Sequence, residues 1–182
     1  PGEDNMISLD DPRHAEQRQL VSRRFTPKSV RALHPYLSGL IDELVDGFID
    51  GSSFEVVSQL AAPLPARLTA HLLGFDEDRW PDIQRWSERL MRYDAMPRDT
   101  QVGTEFFEAI GEFAPPLFEL FQARQAEPAD DLVSVWAHAE VGGCPVTEQM
   151  LINETGLVIS GGAETTRTVI ARGLATLADH PD

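Results

Sequence analysis

The C-terminal stretch most limits how this chain can fold, because it has the pattern of one long helix. Thr147 can cap its first turn, and helical sequence then continues to about Leu177, far enough to cross a whole domain. Gly161 and Gly162 interrupt it, and each costs roughly 1 kcal/mol relative to alanine inside a helix. That cost is typical of a helix that must distort or let a ligand approach its backbone.

An acid and two hydroxyls follow the glycine pair at once. Thr165 lies four residues after Gly161, so its hydroxyl can bond the Gly161 carbonyl and compete with the helix ladder. Glu164 can carry protons. By pattern alone, a simple helix kink with an exposed Glu164 is about as probable as a functional site at these residues. A largely buried helix is nevertheless expected from its apolar neighbours, which are Leu157, Val158, Ile159, Val169 and Ile170.

Nearly all the remaining segments also have helical patterns. Thr26 and Pro27 have the pattern of an N-cap followed by proline at the first helical position. A long helix is predicted over residues 99–125, and the only plausible strand pair is a small hairpin within residues 141–146. The sequence therefore predicts a mainly α fold.

Composition and charge exclude several classes of function. Hydrophobic residues make up 42% of the chain, which is ample for a core, and 30 acids against 15 bases give a net charge of −15. That charge argues against a nucleic-acid partner. The single cysteine, Cys144, cannot form an internal disulfide, and no apolar run is long enough to span a membrane. We expect a cytoplasmic protein with no membrane partner.

A second candidate site lies near the N-terminus. His14 and Arg18 are four residues apart, so they share one face of the predicted first helix and can hold an anionic group. Spacing alone favours a solvated helix face by about two to one, since surface bases are common.

Together these motifs resemble those of a known family. The sequence from Gly161 to Thr165 resembles the oxygen-binding I helix of cytochrome P450 monooxygenases, whose pattern is small-Gly-x-acid-Thr. His14, Arg18 and the turn at residues 25–27 resemble the C helix of the bacterial form and its exit, and the two motifs occur in family order. The resemblance implies that residues 1–182 form one partial domain, the helical core of the P450 fold from the C helix to the I helix.

The family's remaining motifs are not in this sequence. After the oxygen-binding segment, the family's Glu-x-x-Arg helix and its Phe-x-x-Gly loop with the haem-ligating cysteine do not occur, and the N-terminal sheet region has no counterpart. Cys144 precedes the oxygen-binding helix and lacks the loop pattern, so it is not expected to ligate metal. We therefore expect an internal fragment of a longer enzyme, inactive by itself.

The resemblance also implies residue roles in the complete protein. The cofactor would be heme b, with His14 and Arg18 holding a propionate and oxygen bound in a groove at Gly161 and Gly162. Thr165 would donate a hydrogen bond to bound oxygen, and Glu164 would help bring protons to it. In the substrate pocket we expect Leu157 and Ser160.

The implied reaction is a monooxygenation. One atom of O2 would enter a small apolar organic substrate, with electrons from NAD(P)H delivered by a ferredoxin and its reductase or a similar donor. Trp86, Leu90 and Met91 can contact such a substrate, although core packing is favoured about two to one for an apolar stripe at helical spacing. The alternative function is a self-contained helical ligand-binding or regulatory domain without haem chemistry.

Overall fold

The computed structural model describes residues 5–49 and 53–180 of the chain. Over those ranges it contains α1 (Arg13–Ser22), α2 (Pro27–Ala32), α3 (His34–Asp46), α4 (Pro63–Leu73), α5 (Trp80–Leu90), α6 (Thr100–Ala126), α7 (Leu132–Ala137) and α8 (Glu148–Asp179). An antiparallel hairpin of β1 (Glu140–Val141) and β2 (Cys144–Pro145) joins α7 to α8. Short 3-10 turns include Met6–Ser8 and Tyr93–Ala95. The predicted mainly α architecture is confirmed.

Local sequence signals set where several helices begin. The Thr26 hydroxyl accepts a hydrogen bond from the Ser29 amide at 3.2 Å, and Pro27 is the first residue of α2. The Thr147 hydroxyl accepts one from the Met150 amide at 3.1 Å, at the start of α8. Each cap satisfies an amide that has no partner within the helix. Both predicted caps are confirmed.

The hydrophobic core lies where α4, α5, α6 and α8 meet. Trp86 of α5 and Phe113 of α6 are buried with ring centroids 5.9 Å apart, and the Trp86 indole donates to Glu112 at 3.0 Å. Each such buried side chain contributes roughly 1.5–3 kcal/mol through removal of its apolar surface from water. The other fully buried core side chains include Ala66, Ala70, Leu73, Ile83, Leu117, Leu151 and Ile159.

Only the N-terminal half of α8 belongs to this core. Leu151 and Ile159 are buried, whereas Val169 is 70% exposed and Leu177 is 66% exposed. The prediction that Val169 lies in a largely buried helix is therefore wrong, because the described elements cover only the first half of α8. None of the helices in the described ranges is both long and apolar enough to cross a bilayer.

Candidate functional site

The first of two adjoining cavities lies between α5, α6, α8 and residues 5–8, and we call it the α5–α8 cavity. Its volume is about 440 Å³. Polar groups line it at Asn5, Ser8, Tyr93, Asn153, Ser160 and Thr165, and no charged side chain is among its described lining residues. Its apolar lining comes from Ile7, Leu90, Met91, Phe106, Ile110, Phe113, Ile152 and Leu157. Such a lining suits an apolar ligand with few hydrogen-bonding groups.

The second cavity lies between α1, α4 and α8, and we call it the α1–α8 cavity. Its volume is about 490 Å³, and its lining is apolar apart from Arg18, the hydroxyl residues Ser22 and Thr69, and the glycines Gly161 and Gly162. Arg18 is its only charged lining residue, and within the described ranges no ion pair or hydrogen bond engages the guanidinium. Leu157 and Gly161 line both cavities, so α8 forms the wall that they share.

Most of the predicted pocket residues lie together. Leu157, Ser160 and Thr165 line the α5–α8 cavity, as does Gly161. Leu157 and Ser160 therefore lie where a substrate pocket was predicted, although their contact with a substrate stays a prediction.

The two predicted propionate ligands differ in their surroundings. Arg18 lines the α1–α8 cavity, whereas His14 is not among the lining residues. The His14 Nδ1 atom lies 3.5 Å from a carboxylate oxygen of Asp11, and the side chain is 38% exposed. The geometry therefore favours Arg18 over His14 as the residue that holds an anionic group.

The Thr165 hydroxyl bonds back to its own helix. It donates a hydrogen bond to the Gly161 carbonyl at 3.0 Å, as the spacing predicted. The helix itself continues without a break through Gly161 and Gly162. The glycine pair therefore leaves α8 intact, and a hydroxyl at the wall of the α5–α8 cavity is available for exchange with a ligand.

Glu164 lies in a charged bridge between α8 and α5. Arg167 donates to Glu164 at 2.5 Å and to Glu88 at 2.5 Å. The second carboxylate oxygen of Glu164 is buried without a hydrogen-bond partner in the described part of the chain. This half-satisfied carboxylate lies beside Thr165, while its role in moving protons stays a prediction.

Gly161 and Gly162 differ in whether the surrounding structure has room for a side chain. A Cβ atom at Gly162 would lie 2.5 Å from the Thr69 hydroxyl oxygen, and that hydroxyl is fixed by a 2.8 Å hydrogen bond to the Pro65 carbonyl. A Cβ atom at Gly161 would meet nothing within 4 Å. Gly162 therefore permits the close approach of α8 to α4. Gly161 instead faces free space, at the position where it lines both cavities.

We expect Gly162→Ala to destabilise the protein by about 1–2 kcal/mol. Overpacking against Thr69 costs roughly 1–3 kcal/mol, and the helix propensity of alanine returns part of that. The matched control is Gly161→Ala, which has space and should be neutral or stabilising by up to about 1 kcal/mol. Urea unfolding of both variants measures the difference, and equal effects would contradict this account of Gly162.

Leu90 and Met91, weighed as possible substrate contacts but favoured as core residues, line the α5–α8 cavity, while Trp86 is buried in the core as favoured. One buried acid was not predicted. Glu154 is 1% exposed in α8 although it is an acid. Its position three residues after Leu151, on the apolar face of the helix, is the sequence signal that could have singled it out.

Cys144 lies away from both cavities. It is exposed in β2 and lines a separate recess together with Arg13 and Gln17. Within the described ranges, no three His, Cys, Asp or Glu side chains come together in a way that could hold a metal ion. The structure thus gives no geometric reason to assign Cys144 a ligand role.

The helical fold places two apolar cavities along α8, and cavities of this kind between helices suit apolar ligands. No protein-family model matches the chain. The steroid C26-monooxygenase of Mycobacterium tuberculosis is 34% identical over 180 residues, covering 97% of this chain and 44% of that protein. The linalool 8-monooxygenase of Pseudomonas putida is 31% identical over 176 residues, covering 97% of this chain and 43% of that protein.

A solved structure agrees with these relatives. The myxobacterial cytochrome P450 CYP267B1 in complex with myristic acid matches with a TM-score of 0.87 at 30% sequence identity, covering 99% of this chain and 44% of that one. The chain belongs to the cytochrome P450 family, as its motifs predicted, and spans a little under half the length of these relatives.

Proposed function

We propose that the protein containing this chain is a haem-thiolate monooxygenase that inserts one atom of O2 into an apolar organic substrate. The observation that carries the proposal is the pair of adjoining apolar cavities, which share Leu157 and Gly161 of α8. One cavity holds a cation at Arg18 that has no ion pair among the described residues, and the other holds a hydroxyl at Thr165. In this proposal residues 1–182 form one partial domain of a cytoplasmic enzyme.

The α1–α8 cavity fits one face of a haem. Its walls are apolar at Val21, Phe25 and Val158, and Arg18 offers its guanidinium to an acidic edge group. The glycine surface at Gly161 leaves room beside α8. The residues present would therefore hold heme b through apolar contact and one charge-assisted pair. The bound cofactor supplies oxygen activation.

The chain's own residues then orient the substrate and control protons. Leu157 and Ser160 contact the substrate from α8, and the apolar lining of the α5–α8 cavity excludes bulk water. When oxygen is present, Thr165 would donate its hydrogen bond to it instead of to the Gly161 carbonyl. Glu164 would pass protons toward that hydroxyl through its second carboxylate oxygen, which has no hydrogen-bond partner in the described part of the chain.

Charge on α1 and α2 supports an acidic electron donor. Residues 13–31 contain six bases and one acid, within a chain whose net charge is −15. Arg13, Arg23, Lys28 and Arg31 are exposed. A basic surface of this kind steers an acidic partner toward it. We therefore propose a ferredoxin with its reductase, or a similar carrier, as the route from NAD(P)H.

The named relatives support the substrate class. Steroids and linalool, from which two relatives take their names, are largely hydrocarbon, as is the myristic acid bound to the structural neighbour. The uncharged lining of the α5–α8 cavity is consistent with a substrate of that character.

Haem retention tests this proposal in the complete protein. We expect Arg18→Ala to weaken haem binding roughly ten- to a hundredfold, because losing a charge-assisted hydrogen bond costs about 1.5–3 kcal/mol. His14→Ala should have a smaller effect, since His14 is paired with Asp11. The measurement is the rate of haem transfer to excess apomyoglobin.

Arg13→Ala is the matched control, because Arg13 is exposed on the same helix and lines a different recess. It should release haem as slowly as the wild type. Equal haem transfer from the Arg18→Ala and Arg13→Ala proteins would return Arg18 to the solvated surface and remove the support for a haem in this cavity.

A further inference from the structure

Glu154 makes a hydrogen bond that spans almost the whole chain. The carboxyl oxygen Oε1 accepts the backbone N–H of Met6 at 2.6 Å, across 148 positions in sequence. The other oxygen, Oε2, is buried without a hydrogen-bond partner in the described ranges, and the residue is only 1% exposed. A carboxyl in this setting therefore has one backbone donor and no access to water.

These surroundings favour the protonated form of Glu154. Burial raises its pKa from an ordinary 4.5 to about 7, and the Met6 N–H opposes that shift only in part. Burial and the Met6 N–H are the causes of this shift, and no charged side chain of the described elements is among them, including Arg13, Glu16 and Arg18 of α1, which packs against the Met6–Ser8 turn. An ionised Glu154 would be a buried charge without a charged partner.

The Met6–Ser8 turn forms part of both cavities. Met6 lines the α1–α8 cavity, and its neighbours Asn5, Ile7 and Ser8 line the α5–α8 cavity. Within the turn, the Ser8 amide donates to the Asn5 carbonyl at 3.0 Å. The position of this turn therefore helps to set the shape of both cavities.

We propose that Glu154 is a positioning residue that, when protonated, holds the Met6–Ser8 turn at the wall of both cavities and, when ionised, releases it. Ionised Glu154 regains water only if the turn moves away, so release of the proton and opening of the wall are linked. The restraint on the turn is independent of the proposed oxygenase reaction. Its consequence for ligand access rests on the proposed function of the α5–α8 cavity.

Amide hydrogen exchange in the complete protein tests the restraint directly. After correction for intrinsic exchange chemistry, protection of the Met6 amide and of the turn should fall more than tenfold between pH 5 and pH 7, on the order of the linkage expected for this group. It should level off above pH 7. The pH series on the wild type needs no variant, so a folding defect cannot obscure it.

Two variants separate the carboxyl from its charge. Glu154→Gln keeps an acceptor for the Met6 N–H without ionising, so protection should stay independent of pH. Glu154→Leu removes the acceptor, so protection should be low at every pH. Glu119→Gln, at an exposed position of α6, is the matched control and should behave like the wild type.

The infrared carbonyl band of a protonated carboxylic acid gives a second readout. It should disappear from the wild type as pH rises through about 7, and it should be missing from Glu154→Gln. Protection of Met6 that does not change with pH in the wild type, or a pH dependence that persists in Glu154→Gln, would overturn the proposal. Neither readout requires catalysis, so failure here is distinguishable from failure of the monooxygenase assignment.

Discussion

Thr165→Val in the complete protein is expected to divert reduced oxygen from product to hydrogen peroxide. Valine keeps nearly the same volume, so the α5–α8 cavity keeps its shape and substrate affinity should change little. The variant lacks the hydroxyl that now donates to the Gly161 carbonyl at 3.0 Å and that we assign to bound oxygen. A proton-transfer contact of this kind is worth roughly 10²–10⁴ in rate.

The measurement is product formed per NAD(P)H oxidised, with peroxide quantified in parallel, for any substrate that the wild-type protein oxidises. Thr166→Val is the matched control, because Thr166 is exposed and is not among the lining residues of either cavity. It should retain wild-type coupling. If Thr165→Val is as tightly coupled as the wild type, Thr165 only bonds its own helix, and proton delivery must be sought at Glu164.

Glu154→Gln should stabilise the protein above neutral pH by about 3 kcal/mol. The folded state holds the Glu154 proton up to about pH 7, whereas the unfolded chain releases it near the ordinary value of 4.5. The folded state therefore binds more protons between these values, and wild-type stability falls as pH rises through this interval. Each pKa unit corresponds to about 1.4 kcal/mol, which gives the expected size.

Urea unfolding from pH 4 to pH 9 measures this effect. The difference in unfolding free energy between Glu154→Gln and the wild type should be small at pH 4, grow to about pH 7 and remain constant above it. Glu119→Gln should show no such growth, because Glu119 is exposed on α6. A constant difference between the Glu154→Gln and wild-type curves would mean that Glu154 is ionised in the folded protein despite its burial.

The positions of the helix starts could be predicted because they depend on neighbouring residues. The cap at Thr26 and the cap at Thr147 each involve an amide three residues further on. Asp99 similarly accepts hydrogen bonds from the first-turn amides of α6, at the predicted start of that helix. In each case the donor and the acceptor lie within one turn, so the sequence contains the whole interaction.

The motif around Thr165 could also be predicted in part. The spacing of Thr165 from Gly161 predicted the hydrogen bond between them. The family resemblance predicted that Leu157 and Ser160 face a pocket, and both line the α5–α8 cavity. For His14 the fold adds a neighbour that the family pattern does not name, because an Asp11 carboxylate oxygen lies 3.5 Å from its Nδ1 atom. Helical spacing predicts which residues lie on the same face of a helix, but it does not predict which other part of the fold that face contacts.

The sequence by itself thus determined the helices, their caps and the family, because these follow from short-range periodicity and from motif order. Only the tertiary structure decided that Gly162 must leave room for the Thr69 side chain, that Glu154 accepts a hydrogen bond from the Met6 amide and that the Val169 side chain is exposed. Each of these depends on residues far apart in the chain, brought together or left uncovered by the packing of whole helices. Packing selects such contacts through shape and burial across the core, which local residue patterns do not encode.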